Sequence, residues 1–405
     1  MSRLVFVAPP FAGHLNPLLP LAAAARDSGY AVEVITGANK LGAVQAYGLP
    51  CRSLQSIPPG SLEAIANTAA PVGSHPSLLL AQFRDNLSLL PAIKAELESL
   101  WRADPPALVV ADSVAPVGGL VCESMGIPWI TTIATPFAME NRTGTPAYCG
   151  GWSPGHSLRD AAGRLAIRLF KRAVAWWFRK EFALLGGGFP YRPDGYERIY
   201  SPHAILGFGL EQLEFPRDWP PHFQMIGPVV DCPEPGPPLS FPPAAKRVLV
   251  SVGTHLLWAK RTIADDVAQL AAEFPGVQFH VSLGGEPVPP SKTTANITFH
   301  SFVPYARDLS FFDAVLHHGG AGITYAAILH GLPSVVVPHD YDQFDYAARI
   351  EYAQLGRRAR SIATAAPALR AVLAEPDRAA LEAMRLHAQS YRPAAAFLSV
   401  ARRLL

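Results

Sequence analysis

The chain is 405 residues long, more than one ordinary core accommodates, which points to two domains. Its 49% hydrophobic and 16% charged residues mark a globular protein, and 34 basic against 32 acidic side chains (net +2) give no reason to expect nucleic acid as a partner. Cys51, Cys122, Cys149 and Cys232 lie far apart without C-x-x-C spacing, so neither a disulfide framework nor a zinc site is implied; reduced thiols in the cytoplasm are expected.

Arg3–Ala8 is a short, continuously apolar run, as a buried parallel strand requires. The apolar stretch Leu15–Ala25 is interrupted by prolines and runs into Arg26-Asp27, so it reads as a helix rather than a signal peptide. Asn16 is the expected cap, Pro17 the first helical position and Gly29 the stop. Strands follow at Ala31–Thr36, Ala107–Asp112 and Trp129–Ala134, with helices near 78–101 and 116–125. Residues 228–243 are proline-rich and read as a linker. Strands then resume at Arg247–Val252, Gln278–Leu283, Ile297–Phe302, Ala314–His317 and Ser334–Pro338. Ala394–Leu405 reads as a last helix able to pack back on the first domain. The expected architecture is α/β: two doubly wound parallel sheets (1–227 and 244–390) facing a cleft, with 391–405 returning to the first. No stretch is long and apolar enough to cross a bilayer. The N-x-S/T triplets at Asn86, Asn141 and Asn296 carry no meaning in a cytosolic chain.

The strongest chemical signal runs from Ala314 to Pro333: apolar strand, glycine-rich turn, then helix. Glycines admit a bulky ligand, and the helix start offers unpaired N–H groups and a positive dipole end, which suits a diphosphate. The spacing is neither G-x-G-x-x-G nor a P-loop, which counts against dinucleotide and ATP readings. His317 at the strand end can donate to a phosphate oxygen, and Gly253-Thr254 closes a second strand that can add amides and a hydroxyl. Asp342 and Gln343 suit vicinal sugar hydroxyls. Asp340-Tyr-Asp342 is also a D-x-D triplet with a competing reading as a divalent-cation site. In the first half, His14 stands just before a helix and Asp112 ends another strand, so the two can meet on one sheet edge as a base and its carboxylate partner.

In order along the chain, Gly13-His14-Leu15-Asn16-Pro17, Asp112, Gly227-Pro228, Phe302-Val303-Pro304, His317–Thr324, Gly331-Leu332-Pro333 and Asp342-Gln343 resemble a bacterial GT-B glycosyltransferase of family 1, the macrolide and UDP-glycosyltransferase type. The match spans nearly the whole chain. The resemblance implies two Rossmann-like domains, with His14 as general base and Asp112 as its partner. It places Phe302 and Val303 at the nucleobase, His317 with Gly319, Gly320, Ala321, Gly322, Ile323 and Thr324 on the diphosphate, and Asp342 with Gln343 on the sugar. Two departures stand out. Ile323 occupies the usual Thr position, which removes one hydroxyl contact, and Tyr325 occupies the place of the ribose-binding Glu of plant relatives, so UDP and dTDP both stay open.

Residues 164–183 read as an amphipathic helix with Arg164, Arg168, Lys171, Arg172 and Arg179 on one side and Leu165, Leu169, Phe170, Val174 and Trp177 away from them. It can pack with a solvated basic face, line or lid the acceptor pocket, or rest on an anionic membrane surface. Phe11, Phe83, Phe137 and Trp176 are the candidate acceptor contacts. The expected function is inverting, metal-independent transfer of a hexose from a nucleoside-diphosphate sugar (UDP favoured, dTDP possible) to a hydroxyl of a hydrophobic small molecule, with no cofactor beyond that co-substrate. The alternatives are a lipid acceptor, a nucleotide-sugar epimerase or hydrolase of the same fold, and a non-catalytic activator. Nothing in the sequence sets the oligomeric state.

Overall fold

The computed structural model describes residues 1–73, 75–140, 143–155, 157–184, 190–231, 239, 241, 244–255, 257–288 and 296–405. Cys232, Asn141 and most of the 228–243 linker lie outside the described residues.

The first half runs β1 (Arg3–Val7), α1 (Ala12–Asp27), β2 (Ala31–Thr36), α2 (Leu41–Gln45), β3 (Cys51–Ser53), α3 (Ser61–Ala66) and α4 (Pro76–Ala103). It continues with β4 (Leu108–Asp112), α5 (Pro116–Met125), β5 (Trp129–Ile133), α6 (Leu158–Trp177), α7 (Arg179–Leu184), β6 (Ala204–Gly207) and β7 (Phe223–Met225). The second half holds β8 (Lys246–Ser251), α8 (Ile263–Ala272), β9 (Val277–Ser282), β10 (Ile297–His300), α9 (Tyr305–Asp308), β11 (Ala314–His317) and α10 (Ala321–Leu329). It ends with β12 (Ser334–Val336), α11 (Gln343–Tyr352), β13 (Gly356–Arg358), α12 (Ala366–Ala374), α13 (Arg378–Ser390) and α14 (Pro393–Leu404).

The strands form two wholly parallel sheets, ordered β3-β2-β1-β4-β5-β6-β7 and β10-β9-β8-β11-β12-β13. Each is doubly wound, and each reverses direction once: between β1 and β4, and between β8 and β11. The reversal opens a crevice at the carboxyl ends of the strands, where open α/β sheets take their ligands. Leu4, Phe6, Val34 and Val110 bury one face of the first sheet under α1, while Val5, Val7, Val109 and Trp129 bury the other. α14 closes the first of these layers, with the Phe397 ring 5.7 Å from that of Phe6.

Helix α1 departs from expectation: it begins at Ala12, a turn before Asn16, and holds Pro17 and Pro20 in its interior. A mid-helix proline costs roughly 3 kcal/mol. Burial of Leu15, Leu18, Leu19 and Leu21 offsets this at about 1.5–3 kcal/mol per side chain. His14 consequently sits inside the first helical turn, not before the helix, and its N–H bonds Phe11 O at 3.0 Å. The short strands β3, β6, β7 and β13 had no strong signature of their own.

The two halves are joined by buried polar contacts. The Arg349 guanidinium bonds Glu214 at 3.0 Å, both side chains nearly fully buried, and lies 4.0 Å from the Phe137 ring centre and 4.4 Å from that of Phe215. Tyr346 donates to Ala134 O at 3.0 Å. No helix among the described residues is long and apolar enough to cross a membrane.

The amphipathic segment is two helices, α6 and α7, broken at Phe178, and its orientation corrects the reading of a solvated basic face. Arg164, Arg168 and Lys171 are half-buried, whereas Leu165, Leu169, Phe170 and Trp177 are 53–68% exposed. The cause is electrostatic: Arg172 pairs with Glu140 at 3.3 Å and lies over the Tyr191 ring, and the Lys171 charge acts on Glu197 and Asp345 beneath the helix. Acids on the body draw the basic side inward and turn the apolar side out.

Candidate active site

Adjacent positions at the first reversal bring His14 and Asp112 together. Asp112 is the last residue of β4, fully buried, and its Oδ1 accepts the Val114 N–H at 2.8 Å. His14 Nδ1 lies 2.9 Å from the same oxygen. Facing Nδ1 to the carboxylate leaves Nε2 as the nitrogen free to take a proton. Burial works to lower the His14 pKa, but the charge and hydrogen bond of Asp112, helped by the charge of Asp342, leave it raised above the ordinary imidazole value. Asp342 comes from the opposite half. Its carboxyl is pushed up to about 7 by desolvation, with the His14 charge opposing and Asp345 adding to the shift. Tyr148 and Tyr341, near this carboxylate, take left-handed backbone angles (φ 60° and 51°), uncommon for non-glycine residues. The Tyr148 N–H bonds Asp345 at 2.8 Å.

The second reversal builds the facing wall. Gly253 and Thr254 follow β8; His317 ends β11, and His318, Gly319 and Gly320 follow it. Gly319 has φ +91°, and a Cβ there would lie 2.8 Å from Gln343 O, so glycine is required on both counts. Gly320 caps α10 without a side chain, and the first amide to find a helical partner is that of Thr324. The N–H groups of Ala321, Gly322 and Ile323 and the positive helix end are therefore available to an anion. The His318 ring is wedged against both turns: a Cβ on Gly253 would lie 2.7 Å from it, and one on Gly320 would collide with it.

The remaining candidate residues differ in burial and in the partners they already have. His317 is fully buried and its Nδ1 accepts the Gly319 N–H at 3.1 Å, which puts the ring proton on Nε2, a buried nitrogen without a protein partner; burial holds its pKa near 3. Val303, Ile323 and Thr324 are buried, the first two in one apolar cluster, while Phe302 is 39% exposed. Gln343 Oε1 accepts the His339 and Asp340 amides at 2.8 and 3.2 Å, which leaves its NH₂ group for a ligand. The Asp340 carboxylate accepts the N–H groups of Val72, Gly73 and Tyr341 at 2.6, 2.7 and 3.0 Å. Its oxygens thus latch the two halves together and are not free for the cation of the D-x-D reading. Tyr325 is buried, its ring 5.8 Å from that of Tyr346.

Of the acceptor candidates, Phe11 lies beside His14, ring centres 6.4 Å apart. Phe83 packs on Phe178 at 4.8 Å. Phe137 is corrected: it is buried in the seam between the halves against Tyr346 and Arg349, and is no acceptor wall. Trp176 is exposed under the Arg179 guanidinium. Reasoning from sequence passed over His255, Trp258, Lys260 and His339, which lie beside the crevice; the one available signal was that His255 directly follows the Gly253-Thr254 turn after β8.

Residues 288–391 match the family model for the C-terminal domain of erythromycin biosynthesis protein CIII-like proteins. Along nearly the whole chain, the protein is 29% identical to 4'-demethylrebeccamycin synthase of Lentzea aerocolonigenes (96% of this chain, 95% of the relative). It is 26% identical to a zeaxanthin glucosyltransferase of Pantoea ananas (90% and 86%). The fold superposes on the Streptomyces sp. SF2575 glycosyltransferase SsfS6, crystallised with thymidine diphosphate, with a TM-score of 0.70 at 20% identity (99% and 100% covered). Along nearly its whole length the chain is similar to glycosyltransferases, and its fold is GT-B. The two crevices meet where the Phe11 ring of the first half packs edge-on against His255 of the second at 5.2 Å, and where the charges of His14 and Asp342 act on each other.

Proposed function

We propose that this glycosyltransferase moves a hexose from a nucleoside-diphosphate sugar to a hydroxyl of a hydrophobic small molecule, with inversion at the anomeric carbon. UDP is the favoured nucleotide and dTDP the alternative. The carrying observation is the His14–Asp112 pair at 2.9 Å, opposite a turn of free amides. As the acceptor oxygen bonds the anomeric carbon, His14 Nε2 takes its proton and Asp112 stabilises the imidazolium. The bond to the β-phosphate oxygen breaks, and its electron pair leaves with the nucleoside diphosphate onto the amides of Ala321, Gly322 and Ile323. Asp342 and the Gln343 NH₂ hold sugar hydroxyls. A positioned base contributes about 10²–10⁴-fold, and each preorganised donor to the leaving anion about 10²–10³-fold. Helix start and amides supply the countercharge, so the proposed reaction needs no metal.

Relatives named as a zeaxanthin glucosyltransferase and as a 4'-demethylrebeccamycin synthase support a carotenoid or other natural-product acceptor. The outward apolar side of α6 favours a second reading, in which the acceptor is lipid-like and reached at a membrane surface. Incubation of UDP- and dTDP-glucose with phenolic, polyketide, carotenoid and lipid acceptors tests both readings, with anionic vesicles present or absent. A β-linked product from an α-linked donor is expected. Free sugar or an epimer from donor alone would instead mark a hydrolase or epimerase.

A further inference from the structure

His255 has no role in the mechanism so far, yet it lies at a contact between the two halves. It follows the Gly253-Thr254 end of β8, and its ring meets the Phe11 ring of the opposite half edge-on at 5.2 Å. Phe11 is the residue beside His14. His255 therefore bridges the wall that carries the base and the wall that carries the amide turn. Both of its ring nitrogens are buried and neither has a hydrogen-bond partner. An imidazole carries at least one N–H, and native interiors rarely leave such a donor unsatisfied. Trp258 Nε1 and His339 Nε2 are unpartnered in the same way, and their rings lie 5.8 Å apart in the same crevice. The Lys260 ammonium pins the loop from the other side, donating to Leu283 O at 2.9 Å and reaching Thr254 O at 3.5 Å. Burial, with the positive charge of Lys40, His14 and Lys260 around the ring, keeps His255 neutral, with its pKa near 4. A buried, unpaired donor in a positive field is what an anion would complete.

We propose that His255 donates its ring N–H to the β-phosphate of the departing nucleoside diphosphate, as a side-chain donor added to the amides of the turn after β11. The position follows from the order of groups: the anomeric carbon must come within reach of His14, the β-phosphate is the next atom group along the donor, and His255 is the residue between His14 and the turn. No proton is transferred in this step. The hydrogen bond shortens as negative charge gathers on the leaving oxygen. The inference rests on the transfer reading for its catalytic consequence, but the binding contact it names can be measured without any acceptor.

The test compares UMP with UDP, and dTMP with dTDP, by calorimetry on the parent, His255→Leu and His255→Gln, with thermal melts to establish folding. The parent should prefer each diphosphate. In His255→Leu the diphosphate affinity should fall about tenfold or more while monophosphate affinity stays within about twofold, because a hydrogen bond to a charged group is lost. His255→Gln, which keeps a donor, should recover most of the preference. An unchanged preference in His255→Leu, or equal losses for mono- and diphosphate, would overturn the assignment. Failure of the parent to bind any nucleoside diphosphate would overturn both this and the transfer reading. Normal diphosphate discrimination by His255, with no transfer to any acceptor, would sink the transfer reading alone.

Discussion

The two crevices of this glycosyltransferase arise from the same topological event and are equipped in opposite ways. At β1/β4 the groups assigned to the reaction in the proposed mechanism are side chains, His14 and Asp112, placed by the first turn of a helix and the last residue of a strand. At β8/β11 the working surface is mostly backbone, opened by Gly253, Gly319 and Gly320 and aligned by α10. A base must change protonation state during the reaction, which only a side chain can do. A receptor for a diphosphate must hold fixed charge without reorganising, which amides do well. Division of labour across the cleft follows from that difference.

The comparison can be broken most sharply at the base. His14→Ala should lower transfer by about 10²–10⁴-fold while UDP or dTDP affinity stays near the parent value; steady-state rates and calorimetry on one preparation check both. Asp112→Asn should cost about 10²-fold or more, since the imidazolium loses its carboxylate. It should also move the pH profile. His14 must be neutral to act, and its pKa is raised in the parent, so kcat/KM should climb with pH through a midpoint above 6.5. Loss of the Asp112 charge leaves desolvation dominant, so in the variant the midpoint should fall.

On the other wall, Gly319→Ala should show the reverse pattern. Its φ of +91° and the nearby Gln343 carbonyl strain any side chain, so diphosphate affinity should drop by about tenfold while the His14 pH midpoint is retained, with about 1–3 kcal/mol of strain in the folded state. Stability should fall next. His317 and His280 are fully buried with pKa values pushed to about 3 and 4, chiefly by burial, and His318 is likewise near 4. Between pH 6.5 and 4 these rings bind protons only in the unfolded chain, so each removes about 1.4 kcal/mol per pH unit as pH falls. Thermal melts across that window should show a declining midpoint. The smallest expected effect is none: EDTA should leave transfer unchanged.

Much of this division was legible in the residues. Glycine at 319 and 320 after an apolar run, with a helix behind it, already implied an anion turn, and the short buried strands at 31–36, 108–112 and 314–317 stand where their apolar runs ended. The start of α1 was not legible, because prolines at 17 and 20 mark a helix start by local rules, and only tertiary burial of four leucines overrides them. The outward apolar face of α6 was hidden for a related reason: the acids that draw its basic side inward, Glu140, Glu197 and Asp345, are distant in sequence. Phe137 looked like any aromatic in an irregular loop until Arg349 came to rest on it. His255 gave no motif at all; its nitrogens are left unpaired only by the way the folded chain packs around them.

The account stands on the base and the amide turn serving one substrate. A crystal structure of the protein with UDP or dTDP tests that most directly. The β-phosphate should lie on the amides of Ala321, Gly322 and Ile323, with the His14 ring one sugar away across the cleft. A nucleotide bound elsewhere, or a His14 ring turned from it, would contradict the account.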